Sequence, residues 1–253
     1  MKKTLRIVLD RIHRLLHDYS LVSLPDRPAI ANTGSFENYL DYFHNSIHEN
    51  EEEVKWMGKK ARKFPMDAWV YQEIIHETRP EVIVEVGNWN GGSTLFLANM
   101  LDLLDRGRVL ALDIDHSKID FNHPRITWIT GDANSPQVLS EVVALIGDSK
   151  KVLVIEDSSH TFENTLAVLR NYNRFVNVGS YFIVEDGICK YTFVDGPKPG
   201  PYEAVQQFLR ENSGFEVDKS REKFVLTYNP SGYLRRIREP REAHHSESGI
   251  GKT

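Results

Sequence analysis

Five short runs rich in β-branched residues follow one another from residue 81 onward: EVIVEVG, RVLALDID, RITWITGDA, KVLVIEDS and SYFIVEDG. Near-continuous apolar runs of this length read as strands buried on both faces, which is the signature of a parallel sheet. Three of the four intervals between them, at residues 93–104, 136–146 and 161–176, carry an amphipathic helical pattern. Strands alternating with helices predict an α/β fold, a mostly parallel sheet covered by helices on both faces. A further helix over 201–211 precedes FEVDKS and KFVLTYNP, read as an edge hairpin that brings the sheet to seven strands. Ahead of the sheet, helices are expected at 35–49 and 66–77, the second stopping before the Arg79-Pro80 pair because the residue before proline avoids the α region.

Each of the five runs closes on acid: Glu85 before Gly87, Asp113 and Asp115, Asp132 after Gly131, Glu156-Asp157, and Glu185-Asp186. In an open parallel sheet, ligands gather at the carboxyl ends of the strands. A row of carboxylates along one such edge is unfavourable without cations or hydroxyl donors to balance it. The edge is therefore the expected site.

The first turn, Gly87-Asn88-Trp89-Asn90-Gly91-Gly92-Ser93, lacks the G-x-G-x-x-G spacing of a dinucleotide loop, because Trp89 stands where a glycine must let backbone approach a pyrophosphate. No Gly-Lys-Ser/Thr follows, so a Walker loop is excluded as well. An acid just ahead of a glycine turn suits a zwitterionic or cationic small molecule such as S-adenosylmethionine. Glu85, Gly87, Asn88, Gly92 and Ser93 form its expected cradle. Asp113, with Asp115 as the alternative by strand alternation, is placed to accept from ribose hydroxyls, and Asp132 to accept from an adenine amino group.

Asp157, Glu185 and Asp186 end neighbouring strands, and three carboxylates with all-oxygen ligation favour Mg²⁺ over zinc. Adjacent strand residues point to opposite faces. Glu185 and Asp186 can therefore act together only if the strand has already broken, which Gly187 permits. His160, three residues beyond Asp157, is a candidate ligand, general base or substrate-positioning group. The segment 187–201, GICKYTFVDGPKPGP, carries Tyr191 and Phe193 and reads as a substrate loop.

With Lys+Arg 31 against Asp+Glu 36 the chain carries a net charge of -5, and nothing points to nucleic acid. Cys189 is the one cysteine, so no disulfide framework is possible, and it is expected as a small buried thiol. Leu5, Val8, Leu9, Ile12, Leu15 and Leu16 mark an amphipathic N-terminal helix suited to packing or self-association. No apolar run of membrane-spanning length is present, and a cytoplasmic, homo-oligomeric protein is expected. The basic cluster GKKARK, 58–63, is expected on a solvated loop. Domain organisation reads as an N-terminal helical extension over 1–65 (a cap or oligomerisation element), a catalytic domain over 66–236 and a flexible polar tail over 237–253.

Several motifs in order, W-M-G, Y-Q-E-I-I (71–75), E-V-G-x-x-x-G-G-S, A-L-D-I-D, D-S-S-H, Y-F-I-V-E-D and T-Y-N-P-S-G-Y-L-R (227–235), make the chain resemble the cephalosporin hydroxylase family, whose members look like class I S-adenosylmethionine-dependent methyltransferases. The resemblance implies a Rossmann-like class I methyltransferase sheet with its last strand antiparallel, bound S-adenosylmethionine, and Mg²⁺ on Asp157, Glu185 and Asp186. It implies the cofactor role for Glu85, Gly87, Gly92, Ser93 and Asp113. Asn164 stands where members often carry a second histidine, which weakens a two-histidine site. The expected activity is Mg²⁺-dependent O-methylation of a small hydroxylated molecule, a natural-product scaffold or deoxysugar, with Asp157 and His160 carrying the chemistry. A metal-dependent hydroxylase and a non-catalytic partner protein with the same fold are the alternatives.

Overall fold

The computed structural model describes residues 54–191, 199–224 and 226–239. The expectations for the helices at 5–16 and 35–49, for Phe193 and for the tail beyond 239 lie outside them.

A two-strand hairpin, β1 (Lys55–Trp56) and β2 (Lys59–Lys60), leads into α1 (Pro65–Thr78). The regular alternation follows: β3 (Val82–Val86), α2 (Gly92–Leu103), β4 (Arg108–Asp113), β5 (Ile126–Thr130), α3 (Pro136–Ile146), β6 (Val152–Glu156), α4 (Phe162–Tyr172) and β7 (Tyr181–Val184). The chain closes with α5 (Pro201–Glu211), β8 (Phe215–Val217) and β9 (Tyr233–Arg236). The seven-stranded sheet has the order β5-β4-β3-β6-β7-β9-β8. The five strands β5-β4-β3-β6-β7 are mutually parallel, and β9 is antiparallel to both β7 and β8.

Period-two alternation divides the strand side chains between two cores. Val82, Val84, Leu110, Leu112, Val152, Val154 and Phe182 face Val142, Leu169 and Phe208 of α3, α4 and α5. Ile83, Val109, Ala111, Leu153, Ile155 and Ile183 face Ile74, Ile75, Leu97 and Leu101 of α1 and α2. Because both faces are covered, the central strands read as unbroken apolar runs. Strand order reverses between β3 and β6, whose register pairs Val86 with Glu156, so a crevice opens beyond their carboxyl ends.

The expected hairpin is corrected. β8 pairs with β9, Glu216 opposite Arg235, and not with KFVLTYNP. The Asp67 carboxylate draws that segment off the sheet edge by accepting from the Tyr228 amide at 2.8 Å and from the Thr227 hydroxyl. The helix expected to reach 176 ends at Tyr172 in a 3-10 turn, Asn173–Phe175, where the Asn173 side-chain amide donates to the Leu169 and Arg170 carbonyls. The stop at Arg79 is as expected, with that residue left-handed at φ 47. No helix among the described residues is long and apolar enough to cross a membrane.

Candidate active site

The glycine turn is shaped by neighbouring backbone. Gly87, at φ +90, lies so near the end of β6 that a Cβ would stand 2.0 Å from the Asp157 carbonyl oxygen. At Gly92, the first residue of α2, a Cβ would stand 2.1 Å from the Lys60 carbonyl oxygen. These two positions were expected to admit a ligand; the space each keeps free on its Cα is filled by protein main chain. Gly92 thereby lets the β1–β2 hairpin lie against the start of α2, where Ser93 is buried.

Glu85 faces the α1–α2 layer and is fully buried. One carboxylate oxygen accepts from the Asn88 side-chain amide at 2.8 Å and from the Thr94 hydroxyl, while the other has no hydrogen-bond partner. Burial lifts its pKa above the usual carboxylate range, with the Lys63 charge and the Ser93 and Thr94 hydroxyls opposing that rise. Asp113 ties the turn down, for its Oδ2 accepts from the amides of Asn88 at 2.7 Å and Trp89 at 3.0 Å. Trp89 is left-handed at φ 46, and the Arg62 guanidinium stacks 3.8 Å from its ring centroid. His116 bridges Asn88 Oδ1 at 3.2 Å and Thr130 Oγ1 at 2.8 Å. With Phe121 and Trp128 it lines a cavity of about 320 Å³ beyond β4 and β5.

The second half of the site is an acid cluster at the ends of β6 and β7. The strand β7 stops at Val184, and Asp186 is left-handed at φ 55. The expected break is there, so Glu185 and Asp186 need not point to opposite faces. Asp157, His160 and Asp186 each offer an atom within 4.8 Å of the others, close enough to share one metal ion. His160, itself left-handed at φ 54, places Nε2 3.3 Å from Asp157 Oδ1 and 3.0 Å from Asp186 Oδ2. Burial opposes the charge on this imidazole, but the Asp157 hydrogen bond and the Asp186 charge raise it to about 9. Glu185 stands apart from the three and is paired with Lys63, whose ammonium donates to Glu185 Oε1 and, at 2.6 Å, to Asp157 Oδ2. Burial alone would lower Lys63; Asp157, Glu185 and Glu85 together hold it well above its ordinary value.

A buried polar layer braces the acids from below. The Asn229 side-chain oxygen accepts from the Asp186 amide at 3.2 Å, and its amide donates to the Tyr71 hydroxyl at 3.0 Å, which in turn reaches Glu185. Asp67 accepts from the Tyr233 hydroxyl at 2.8 Å alongside Thr227 and Tyr228. The Y-Q-E-I-I and T-Y-N-P-S-G-Y-L-R motifs therefore meet in space behind the strand ends. Fully satisfied networks of this kind rigidify their surroundings.

Of the residues predicted from sequence, Glu85, Gly87, Asn88 and Asp113 converge on the first turn, and Asp157, His160, Glu185 and Asp186 on the cluster. Asp132 is exposed and accepts from the Asn134 amide at 2.8 Å, which places it at the turn into α3. Strand alternation does not extend to Asp115, since β4 ends at Asp113 and the Asp115 carboxylate accepts from the Ser117 amide at 2.8 Å. The GKKARK cluster is the main revision. Lys59 pairs with exposed Asp120 at 2.7 Å as a solvated loop residue would, whereas Lys63 is buried inside the site. The signal available was its place two residues ahead of the Pro65 that starts α1. Cys189 is half-buried rather than buried.

The sequence signature of the family described as Rhamnosyl O-methyltransferase/CmcI matches residues 48–237. The chain is 32% identical over 205 residues to a rhamnosyl O-methyltransferase of Mycobacterium leprae (strain TN), covering 78% of this chain and 89% of that one. It is 30% identical over 206 residues to a rhamnosyl O-methyltransferase of Mycobacterium tuberculosis (strain ATCC 25618 / H37Rv), covering 78% of this chain and 83% of that protein. Among solved structures, cmcI-D160 Mg-SAM matches with a TM-score of 0.61 at 22% identity, covering 85% of this chain and 88% of that one. The sheet order, with β9 antiparallel beyond β7, is that of a Rossmann-like class I methyltransferase. Fold, motif order and sequence agree that the chain belongs to the rhamnosyl O-methyltransferase/CmcI family.

Proposed function

We propose that the protein is an S-adenosylmethionine- and Mg²⁺-dependent O-methyltransferase whose acceptor is a hydroxyl of a small molecule, a sugar or natural-product scaffold. The observation that carries this reading is the meeting of two groups at the strand-order reversal: the Glu85–Asn88–Asp113 turn on β3 and β4, and the Asp157–His160–Asp186 cluster on β6 and β7. The residues fit both absent groups. Glu85 keeps a buried carboxylate oxygen without a partner, which suits a ligand ammonium, and the cluster's carboxylates suit a hard cation. The rhamnosyl relatives favour a sugar hydroxyl as acceptor.

When bound, S-adenosylmethionine supplies an electrophilic methyl group and Mg²⁺ supplies Lewis-acid activation of the acceptor. Glu85, Asn88 and Ser93 would form the cradle for the methionine end on the turn that Gly87 and Gly92 shape, and Asp113 ties that turn down while keeping a carboxylate near the ribose position. The cavity walled by His116, Phe121 and Trp128 takes the flat base, a role that needs no contribution from exposed Asp132. Asp157 and Asp186 would hold the metal, Glu185 would join them only on leaving its pair with Lys63, and Asp157 accepts from His160. His160 Nε2 is the atom that takes the acceptor's proton. Its neighbours keep it protonated to about pH 9, so the basic form arises once those carboxylates are otherwise engaged. Holding acceptor and donor together in one site can supply ~7–11 kcal/mol of such a barrier. A cytoplasmic, self-associating enzyme remains part of this reading, the latter supported by the apolar spacing of residues 5–16.

A hydroxylase site of two histidines and one carboxylate is disfavoured because His160 is the one histidine in the cluster among the described residues. Calorimetry with S-adenosylmethionine, followed by labelled methyl transfer onto rhamnose-bearing acceptors with and without chelator, tests the proposal. Asp186→Asn is expected to abolish transfer and to leave cofactor binding largely intact. No S-adenosylmethionine binding, or full activity in chelator, refutes it.

A further inference from the structure

The cluster is already furnished with cations. Lys63 Nζ lies between Asp157 Oδ2, at 2.6 Å, and Glu185 Oε1. Its side chain is 8% exposed, as is that of Glu185, so water contributes little to holding these charges apart. His160 covers the other oxygen of Asp157 and one of Asp186. The three carboxylates thus share Lys63 and His160, and the Arg62 charge also acts on Asp157 and Asp186. Of the carboxylates, Glu185 makes its pair with Lys63 alone, which explains why it stands outside the group able to share a metal ion.

An ammonium and a divalent ion compete for the same oxygens when both need them as near neighbours. A hard cation binds carboxylate oxygen at about 2.0–2.1 Å for Mg²⁺, closer than an ammonium donor. Both cannot occupy the wedge between Asp157 and Glu185. A lysine has a flexible four-carbon stem with which to withdraw its ammonium.

We propose that Lys63 is a tethered cation that holds the acid cluster closed in the metal-free protein and is displaced from the Asp157–Glu185 pair when a divalent ion binds, so that it lowers the affinity of the metal site. The inference rests on reading the cluster as a metal centre. It adds that metal loading and a movement of the 59–63 segment are one event. Since Gly92 seats that segment on α2 and Arg62 stacks on Trp89, the movement is felt at the cofactor turn, and metal and S-adenosylmethionine binding become coupled.

The test is titration of Mn²⁺ into the full chain and into Lys63→Met, followed by calorimetry and by the electron paramagnetic resonance signal of free Mn²⁺, without and with S-adenosylmethionine. Removal of the competitor is expected to tighten Mn²⁺ binding by about tenfold or more, a change of about 1.4 kcal/mol. Equal or weaker binding by the variant, with binding intact in the unsubstituted protein, overturns the proposal and leaves the metal reading standing. No Mn²⁺ binding by either protein overturns both. Should Lys63→Met fail to fold, the unsubstituted protein still decides. Lysine acylation read by mass spectrometry is expected to spare Lys63 in chelator and to label it in saturating Mn²⁺. Labelling that Mn²⁺ leaves unchanged refutes displacement.

Discussion

Gly87 and Gly58 are both left-handed, at φ +90 and +83, but their surroundings differ, and the pair separates two kinds of strain. An alanine Cβ at 58 meets nothing within 4 Å. At 87 it would stand 2.0 Å from the Asp157 carbonyl oxygen, 2.5 Å from the carbonyl carbon and 2.7 Å from Ser158 Cα, where ordinary contact begins near 3.4 Å. These are backbone atoms at a strand end, and the Asp157 amide is itself bonded to the Val86 carbonyl at 2.8 Å, so relief requires the ends of β3 and β6 to part. Gly58→Ala then measures the left-handed penalty alone, ~1–2 kcal/mol. Gly87→Ala adds overpacking, ~1–3 kcal/mol, for a total of ~2–5 kcal/mol from the two together. At ~2–4 °C per kcal/mol for a domain of this size, Gly58→Ala is expected to lower Tm by ~2–8 °C and Gly87→Ala by ~4–20 °C. Differential scanning calorimetry reads both.

The same clash has a second consequence, because the atoms struck belong to the residue that anchors the acid cluster. Parting the strand ends moves Asp157 relative to Asp186, so Mn²⁺ affinity is expected to fall by about tenfold or more in Gly87→Ala and to stay unchanged in Gly58→Ala. If the two variants lose equal stability and Gly87→Ala binds Mn²⁺ normally, the reasoning from backbone approach fails. Gly87 would then be a turn residue and nothing more.

Burial pushes Glu156 up from 4.5 to about 7; its folded form holds a proton that the unfolded chain has lost, so its contribution to stability falls as pH rises from about 4.5 to 7 and is level above that. Glu156→Gln is expected to gain up to about 3 kcal/mol at pH 8, at ~1.4 kcal/mol per pH unit, and nothing at pH 4; urea denaturation at the two values checks it, and an equal gain at both contradicts it. Asp113→Asn keeps the shape of the side chain but leaves one oxygen to serve the Asn88, Trp89 and Asp115 amides that two now serve. Affinity for S-adenosylmethionine is expected to drop by about tenfold, since charged acceptors contribute about twice what neutral ones do; calorimetry showing no change would remove Asp113 from the cofactor turn.

The sheet was legible because its central strands are covered on both faces, which forces apolar residues at every position and makes β3, β4 and β6 stand out as unbroken runs. The acids at their ends were legible for the complementary reason, that a carboxylate directly after such a run lies at the sheet edge. The hairpin was not. KFVLTYNP has strand composition, but its Tyr228 amide and Thr227 hydroxyl go to Asp67, 161 and 160 residues earlier in the chain, and no local pattern announces so distant a partner. The shorter fourth helix was likewise decided by the bonds of the Asn173 side chain to carbonyls it would otherwise have left to the next turn.

Glycines and lysines show where residue type misleads. A glycine after a strand is read as room for a ligand, yet at Gly87 and Gly92 the room is taken by protein main chain from β6 and from the Lys60 turn. The inference that the turn is special survives, while the reason changes: the glycines bring the elements that carry Asp157 and Lys63 up to the cofactor turn. A basic cluster is read as solvated because lone ammonium groups are rarely buried. That rule describes charges without partners. Three carboxylates at the ends of β6 and β7 already require positive charge nearby, so the acids themselves argued that some cation of this chain would be drawn in. Only the fold could say that it is Lys63, delivered by the turn that Gly92 admits.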